Sequence, residues 1–532
     1  MSDILFKNAV VVDGTGSAPF EADILVEGPF IREVGTLGEA RAKRTIDARG
    51  FVVCPGFIDM HCHADFSLPI LPSADSLVHQ GITTAVVGQC GLSPAPLPES
   101  SREEVIVGLS SILSELEGEI PWSEWSSFGD YLGFLRQVGI SINVVPLVGQ
   151  GTIRAGIMGF GAGRASPEHM GAMQREAVKA LQEGAWGLST GLIYPPGSYA
   201  STDELVELTQ AVAREGGLYF SHIRGESETL LDAVAEALRI GQETGAPVQI
   251  SHFKAAGRQN WGKSKEALAL IDQARKEGTD VCADMYPYTA GSTTLVAFLP
   301  EWAQEGGKEA VLGRLSNPAL RIKMSEDMIK GGFAKSVEWD TVLITGSPAK
   351  PAYQGRYVSG LAAEANKAPH DWIFDALVET DLQIHMAVFA MSESNRLQEV
   401  RHPVMTFCTD GMGFRAQGSA GKSLTHPRSY GAFPRVLAHY VREQRALSLE
   451  EAIHKMTGLA AKRLNLKDRG LIKPGLVADL VVLDPGKVGD RATFENPHQY
   501  AEGILEVVVH GEPVIHEGRH TGSKPGQVLN RK

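Results

Sequence analysis

Residues 51–63, FVVCPGFIDMHCH, place an apolar, β-branched run directly before two histidines. Short apolar runs bounded by turn residues are typical of buried β-strands. Because successive strand residues alternate faces, His61 and His63 are predicted to point the same way, spaced to share one cation. The same arrangement, an apolar run that ends near polar or metal-ligating residues, recurs along the centre of the chain.

Eight such runs are found, and helical patterns fill several of the gaps between them. The runs cover residues 51–59, 83–87, 142–148, 186–190, 218–221, 248–251, 281–284 and 404–408. In the gaps, Ser201 and Glu204 have capping-box spacing, and helices are predicted over residues 228–241 and 264–276. This alternation predicts an α/β fold, a (β/α)8 TIM-like barrel. The competing fold is a doubly wound sheet, but no GxGxxG motif opens a helix after the first strand.

Both ends of the chain carry a different pattern, short strand-like segments separated by glycine-rich turns. They cover residues 4–12, 22–27, 30–34, 480–483, 507–510 and 514–517. They predict a small β-sandwich made of residues 1–52 and 466–532, with the barrel over residues 53–465 between them. The stretch around 290–380 is too long for a loop and predicts an insertion near the barrel mouth. Residues 386–391 are an alternative strand that would change the strand count.

Composition narrows the class of protein. The chain has 532 residues, a net charge of −13, 43% hydrophobic residues and five cysteines. Without a basic stretch, a nucleic-acid partner is not expected. There is no signal-peptide pattern, no apolar run of about 18 residues and no CxxC motif, so we expect a cytoplasmic protein without a membrane partner. A small-molecule substrate fits a barrel best.

Further candidate metal ligands follow other predicted strands. His222 and His252 each follow a serine at a strand end, 30 residues apart, and Cys90 and Asp410 end two other strands. Each has an ordinary alternative: Cys90 as a small buried apolar residue, or Asp410 as a turn residue before Gly411. Catalytic groups of a barrel gather at the carboxyl ends of its strands. Together, these nitrogen, sulfur and oxygen donors predict a zinc site.

Eight motifs make the chain resemble the amidohydrolase superfamily, and within it the N-acyl-D-amino-acid deacylases, or D-aminoacylases. The superfamily-like motifs are PGFIDMHCH at 55–63 and KPGLVADL at 473–480. The deacylase-like motifs are GITT at 81–84, GQCG at 88–91, GLSTGLIYPP at 187–196, DMYPY at 284–288, TDG at 409–411 and HPRSYG at 426–431. The resemblance covers nearly the whole chain.

The resemblance implies a zinc-dependent hydrolase that cleaves the amide bond of N-acyl-D-amino acids to give a carboxylic acid and a D-amino acid. It implies a tight zinc site at Cys90, His222 and His252 and a second, weaker position at His61 and His63. Cys90 replaces the carboxylated lysine of many relatives. Asp410 is implied as general base and metal-site carboxylate. The implied substrate-positioning residues are Tyr194, Arg224, Lys254 and Tyr286. The HPRSYG motif contributes His426, Arg428 and Tyr430, to which the sequence assigns no role.

Other functions remain alternatives. The same barrel would hydrolyse a dipeptide with a D-residue, a cyclic amide or a lactone if its loops admitted them. A non-catalytic scaffold would lack some ligands, and this chain lacks none of the implied set. A hydrolase with Cys90 as nucleophile would leave the histidines and Asp410 unexplained. Preference for the D-hand rests on the resemblance alone.

Overall fold

Eight parallel strands form the centre of the computed structural model, which describes residues 2–116, 118–417 and 423–531. In order they are Phe57–Asp59, Ile82–Val87, Asn143–Pro146 with Val148–Gly149, Gly187–Gly191, Leu218–His222, Val248–Ile250, Val281–Met285 and Met405–Phe407. The eighth strand returns to the first: the Met60 N–H donates to the Phe407 carbonyl at 3.2 Å, and the Asp410 N–H to the His61 carbonyl at 2.8 Å. The ring therefore closes into a TIM-type barrel, as predicted.

Each predicted apolar run contains one barrel strand, but the first run splits. Val52–Pro55 pairs with strands of the terminal sheet, and only Phe57–Asp59 enters the barrel. Gly56 lies between them, where a β-carbon would come within 2.2 Å of the Thr83 hydroxyl oxygen. The prediction of one continuous strand over 51–59 was therefore wrong. All residues of the barrel strands are buried, which explains why these segments are rich in apolar residues, with only short polar interruptions such as Thr84 and Ser189.

Helices connect the strands. Those of the barrel region are Ala64–Ser67, Asp75–Val78, Arg102–Leu109, Phe128–Val138, Gln150–Met158, Pro167–Glu183, Thr202–Arg214, Leu230–Thr244, Lys263–Lys276, Glu393–Arg401, Arg428–Arg435, Leu449–Met456 and Gly458–Arg463, with a π-helix at Val436–Glu443. Ser201 caps its helix by accepting the Glu204 N–H at 3.2 Å, while the Glu204 carboxylate binds the buried Arg154. The helices predicted at 228–241 and 264–276 are confirmed within three residues at each end.

The insertion lies between the seventh and eighth barrel strands and has a small sheet of its own. Its antiparallel strands are Gly291–Thr294, Val342–Gly346 and His385–Val388, and its helices are Gly307–Leu315, Pro318–Lys330, Gly332–Lys335, Val358–Glu364 and Pro369–Glu379. Residues 386–391 thus contribute a strand to the insertion rather than to the barrel. The barrel count therefore stays at eight among the described residues.

Strands from both ends of the chain form one sheet, nine-stranded in the described part of the chain. Its path is Arg519–His520, Glu512–His516, Ile504–Val509, Leu480–Leu483, Val52–Pro55, Ser2–Val11, Phe20–Glu27 and Phe30–Gly35, with Ala42–Asp47 also paired to Ser2–Val11. Ala42–Asp47 was not predicted, because its charged, mostly exposed residues carry no apolar alternation. Among the residues described, no helix is long and apolar enough to span a bilayer.

Candidate metal centre

The six predicted metal-site residues converge at the carboxyl ends of the barrel strands. Their donor atoms form two groups that share Cys90, and within each group all donor atoms lie within 4.8 Å of one another. One group is His61, His63, Cys90 and Asp410, and the other is Cys90, His222 and His252. Segments from five different barrel strands therefore supply one cluster of nitrogen, sulfur and oxygen donors.

Cys90 lies at the centre of the cluster. Its Sγ is 3.4 Å from His61 Nε2, 3.5 Å from His222 Nδ1 and 3.5 Å from His252 Nε2. Zinc binds sulfur at about 2.3 Å and nitrogen at about 2.0–2.1 Å, so neighbouring ligand atoms of a tetrahedral site are separated by about 3.5 Å. The donor atoms thus have the separation that a shared zinc ion requires.

Asp410 borders the cluster and joins it to a buried arginine. Its Oδ1 is 3.4 Å from His61 Nε2 and 3.3 Å from His63 Nε2, and its Oδ2 accepts from Arg428 at 2.6 Å. Burial favours the neutral acid, but the Arg428 guanidinium and the neighbouring histidines hold the pKa of Asp410 well below its usual range. The carboxylate is therefore ionised at neutral pH.

The local backbone brings the Cys90 loop close to its neighbours. Gly88 has φ of +78°, and a β-carbon there would lie 1.9 Å from the Leu147 carbonyl oxygen. A β-carbon on Gly191 would lie 2.0 Å from the Cys90 carbonyl oxygen. The GQCG and GLSTG motifs therefore need their glycines for this close approach.

Three of the donor residues have left-handed backbones, with φ of 54° at Cys90, 35° at His252 and 50° at Asp410. This conformation is unfavourable for residues other than glycine, and it concentrates at functional sites. Burial lowers the pKa of His222 and His252 well below the usual value, so both rings are neutral and present lone pairs. Burial, followed by the nearby carboxylates, raises the pKa of the Cys90 thiol, so a thiolate there needs a cation beside it.

Glu226 is a site residue that the sequence reasoning missed. Its Oε1 is 3.1 Å from His252 Nδ1, 3.8 Å from His222 Nε2 and bound to the Lys254 ammonium. A carboxylate behind a metal-binding histidine orients the ring so that its other nitrogen faces the metal. The available signal was its position four residues after His222, in the loop that also carries Arg224.

The donors open into a cavity of about 420 Å³, which all four predicted substrate-positioning residues also line. The Tyr194 hydroxyl is 3.0 Å from the Thr293 hydroxyl of the insertion. Lys254 is 5% exposed, and its Nζ is 2.8 Å from His252 Nδ1 and 5.6 Å from the centre of the Tyr286 ring. The metal donors therefore line one side of the cavity, and tyrosine and lysine side chains line the space next to them.

Arg224, the fourth predicted positioning residue, lines the cavity, and its guanidinium is fixed by hydrogen bonds to a carboxylate and two main-chain carbonyl groups. It donates to Glu236 at 3.0 Å and to the carbonyl groups of Ser198 and Ala200 at 2.7 and 2.8 Å. Its side chain is 34% exposed. The structure thus places Arg224 at the cavity in a fixed orientation.

The HPRSYG motif, whose role the sequence left unassigned, carries a cationic group to the centre. Arg428 binds Asp410, and its guanidinium lies 4.7 Å from the centre of the Tyr286 ring. His426 accepts the Arg428 N–H at 3.0 Å on Nδ1, and its Nε2 lies 2.9 Å from the Ala290 carbonyl oxygen. Tyr430 lies behind, with its hydroxyl 3.0 Å from His498 Nδ1. His426 therefore ties the arginine loop to the start of the insertion.

Comparison with known proteins identifies the family. The family described as Amidohydrolase family matches residues 44–393 and 418–515. D-aminoacylase of Alcaligenes xylosoxydans xylosoxydans is 35% identical over 529 residues, covering 99% of this chain and 98% of its own. N-acyl-D-aspartate deacylase of the same organism is 37% identical over 530 residues, covering 99% and 95%.

A solved structure is similar over the full length. It is N-acyl-D-glutamate deacylase from Bordetella bronchiseptica, complexed with zinc and a phosphonate inhibitor that mimics the tetrahedral intermediate of the reaction. It has 33% sequence identity and a TM-score of 0.83 and covers 100% of both chains. The chain described here therefore belongs to the amidohydrolase family, in the group that contains D-aminoacylase and the N-acyl-D-aspartate and N-acyl-D-glutamate deacylases.

Proposed function

We propose that this protein is a zinc-dependent hydrolase that cleaves N-acyl-D-amino acids into a carboxylic acid and a D-amino acid. The observation that carries the proposal is the Cys90 sulfur lying 3.4–3.5 Å from three imidazole nitrogens, with the Asp410 carboxylate beside them. The D-hand and the acyl substrate follow from the similarity to D-aminoacylase and N-acyl-D-aspartate deacylase, each of which matches 99% of the chain.

The donor set fits zinc in chemistry as well as in spacing. Cys90, His222 and His252 would hold the tight ion, and His61 and His63 would contribute a second, weaker position. Thiolate and imidazole are preferred zinc ligands, whereas magnesium and calcium prefer oxygen. When bound, zinc polarises a carbonyl oxygen and lowers the pKa of a water to about 7.

Asp410 is the proposed proton carrier. It is ionised, because Arg428 stabilises its charge, and it belongs to the donor group of His61, His63 and Cys90. It would take a proton from the attacking water and deliver that proton to the departing nitrogen, which then leaves as a neutral amine. Its Oδ1 faces the histidines, so the transferred proton stays at the metal side of the carboxylate.

The free carboxylate of the substrate would bind among Lys254, Arg428 and Tyr286. Both cationic groups lie within 6 Å of the same tyrosine ring, at 5.6 and 4.7 Å from its centre. Arginine binds a carboxylate through two parallel hydrogen bonds, and lysine adds a point charge. Tyr194 and Arg224, on the other cavity wall, stay predicted substrate contacts.

The insertion would shield the active-site cavity from bulk water. Gly291, Ser292 and Thr293 line the same cavity as the metal donors, and Thr293 contacts Tyr194. Excluding water strengthens electrostatic interactions inside a site and prevents side reactions. We infer that the insertion acts as a lid.

The terminal sheet is proposed to fold over as a small β-sandwich made from both ends of the chain. The predicted division was 1–52 and 466–532 around a barrel at 53–465, but Val52–Pro55 pairs within the terminal sheet, so we place the first boundary at Gly56. Support comes from one apolar cluster shared by strands from both ends of the chain. It contains Ile4, Phe6, Ile24, Val26, Val53, Leu480, Val482 and Val508. Inner faces that pack together in this way are typical of sandwich cores.

The test pairs elemental analysis with turnover of matched N-acetyl-D-methionine and N-acetyl-L-methionine. We expect about one or two zinc ions per chain and release of amine from the D-substrate only. Asp410→Asn is expected to keep zinc and to lose activity by about 100- to 10,000-fold, the usual contribution of a general acid–base. A metal-free active enzyme would refute the proposal, and zinc without turnover of either hand would favour the dipeptide, cyclic amide or lactone alternatives.

A further inference from the structure

One carboxylate on the cavity wall, Glu115, takes no part in the metal centre. It ends the short 3-10 helix Ile112–Glu115, in the connection that follows the second barrel strand. Its side chain is only 10% exposed, and it lines the same cavity as Cys90 and Asp410. A carboxylate this far removed from water is costly unless it is paired.

No lysine or arginine forms an ion pair with Glu115 among the described residues. Its Oε2 accepts from the Thr425 hydroxyl at 3.2 Å, and its Oε1 is buried without a hydrogen-bond partner among the described residues. His385 Nδ1 is 3.8 Å from Oε1, too far for a hydrogen bond. The Nε2 of this histidine lies 2.7 Å from the Ser111 carbonyl oxygen, so this nitrogen donates to the main chain and not to Glu115.

The cationic groups of the cavity, in contrast, are already paired. Over the described ranges, the lysine and arginine side chains that line it are Arg224, Lys254 and Arg428. Each binds a carboxylate of its own: Glu236, Glu226 and Asp410. Two other carboxylates of the described cavity wall, Glu115 and Glu301, form no ion pair with a lysine or arginine. Glu301 is exposed to solvent, whereas Glu115 is largely buried beneath the insertion sheet.

We propose that Glu115 is a specificity-determining residue, which binds a cationic group of the substrate and disfavours a substrate with a second carboxylate. This inference rests on the proposed hydrolysis of N-acyl-D-amino acids. Overall similarity leaves the preference open, since identity is 35% to D-aminoacylase and 37% to N-acyl-D-aspartate deacylase. The cation is an ammonium or guanidinium, carried either by the D-amino-acid side chain or by an aminoacyl group on the other side of the scissile amide.

The test compares kcat/KM of the zinc-loaded enzyme for four substrates. N-acetyl-D-arginine carries the cation on the side chain, glycyl-D-methionine carries it on the acyl half, N-acetyl-D-methionine is neutral and N-acetyl-D-glutamate is acidic. For the wild type we expect at least one cationic substrate to exceed N-acetyl-D-glutamate by about tenfold or more, the effect of one charge pair in a partly buried site. If N-acetyl-D-arginine is preferred, the bound cation lies on the amino-acid side chain; if glycyl-D-methionine is preferred, it lies on the acyl half.

Glu115→Gln removes the charge and keeps the acceptor for Thr425. We expect it to lower kcat/KM for the cationic substrate by about tenfold, to raise that for N-acetyl-D-glutamate, and to leave N-acetyl-D-methionine within about twofold. The matched control is Glu228→Gln, another cavity carboxylate, which Lys335 already neutralises at 2.7 Å. It should change none of these ratios.

Two results would overturn the inference while the proposed function stands. One is a wild-type kcat/KM for N-acetyl-D-glutamate equal to that for the cationic substrates. This measurement needs no variant, so it tests the inference even if Glu115→Gln folds poorly. The other is a folded Glu115→Gln enzyme in which all substrates change by the same factor, since that indicates a purely structural role. Absence of turnover for every N-acyl-D-substrate would remove the proposed function and the inference together.

Discussion

Replacement of Cys90 by alanine tests the metal centre at the residue that both donor groups share. The substitution leaves His222 and His252 as two donors of one group, whereas protein zinc sites use three or four protein ligands. We therefore expect the tight site to lose its zinc, and activity to be lost with it. Backbone strain does not confound the comparison, because alanine and cysteine both carry a β-carbon at the observed φ of 54°.

The expected magnitude follows from linkage between binding and folding. A ligand bound only by the native state stabilises it by about 2.7 kcal/mol at a free concentration 100 times its Kd. The wild type should gain this stabilisation when zinc is added, and Cys90→Ala should gain almost none. Loss of the buried sulfur itself lowers stability by about 1 kcal/mol, but that loss is independent of zinc and so is separable.

The assay is thermal unfolding with a zinc buffer and with a chelator, together with elemental analysis of the dialysed protein. Cys282→Ala is the matched control, because Cys282 is also a buried cysteine, 8% exposed, in a barrel strand outside the donor cluster. It should keep the zinc response of the wild type. A Cys90→Ala protein with full zinc content and a wild-type response would refute the reasoning and return Cys90 to an ordinary core role.

Asp479 binds Arg469 at 2.6 Å and both are 4% exposed, and Asp479 also accepts from Asn143 at 3.0 Å and from the His510 N–H at 2.7 Å. Asp479→Ala leaves the buried guanidinium with the more exposed Asp468 at 3.3 Å and leaves the other two donors without this acceptor, so it should lower the free energy of unfolding by about 3–5 kcal/mol. A loss below about 1 kcal/mol in denaturant titration would contradict this. Burial lowers the pKa of Lys455 from 10.5 to about 8, so the native protein releases this proton before the unfolded chain does. Stability relative to Lys455→Met should then rise by up to about 1.4 kcal/mol per pH unit between pH 8 and 10.5; parallel stability curves would be evidence against it. Glu226→Gln weakens the carboxylate contact with His252 Nδ1 at 3.1 Å and should reduce zinc affinity about 10- to 100-fold in chelator competition. Unchanged zinc affinity would mean that Glu226 stabilises the Lys254 ammonium but does not orient His252.

The sequence alone predicted the barrel because its evidence is local. Strands buried on both faces are rich in apolar residues, and each predicted run shows this enrichment, although buried polar residues such as Thr84, Ser189 and Gln249 interrupt the runs. The convergence of Cys90, His222, His252 and Asp410 was predictable for a related reason. Parallel barrel strands all end on one rim, so a residue at a strand end lies near the other strand ends whatever its distance along the chain.

The local hydrophobic pattern did not predict where strands end, and it did not reveal strands made of charged residues. Gly56 looked like one position within a longer strand, and only the strand pairing on its two sides reveals that the chain changes sheets there. The strand Ala42–Asp47 was missed because its pairing partner, rather than its own composition, makes it a strand. Pairing of this kind depends on long-range contacts that one segment does not encode.

The tertiary structure decided which charges meet. Arg428 was visible as part of a motif, but its contact with Asp410 depends on how the loop after the eighth strand folds back, with His426 holding it to Ala290. Glu226 and Glu115 look like solvent-exposed glutamates in the sequence, which is the default for that residue type. Residue type and strand position therefore sufficed to predict the metal donors. The pairing of cations and anions around them, on which the proposed substrate preference rests, depends on distances of a few ångströms that only the folded chain defines.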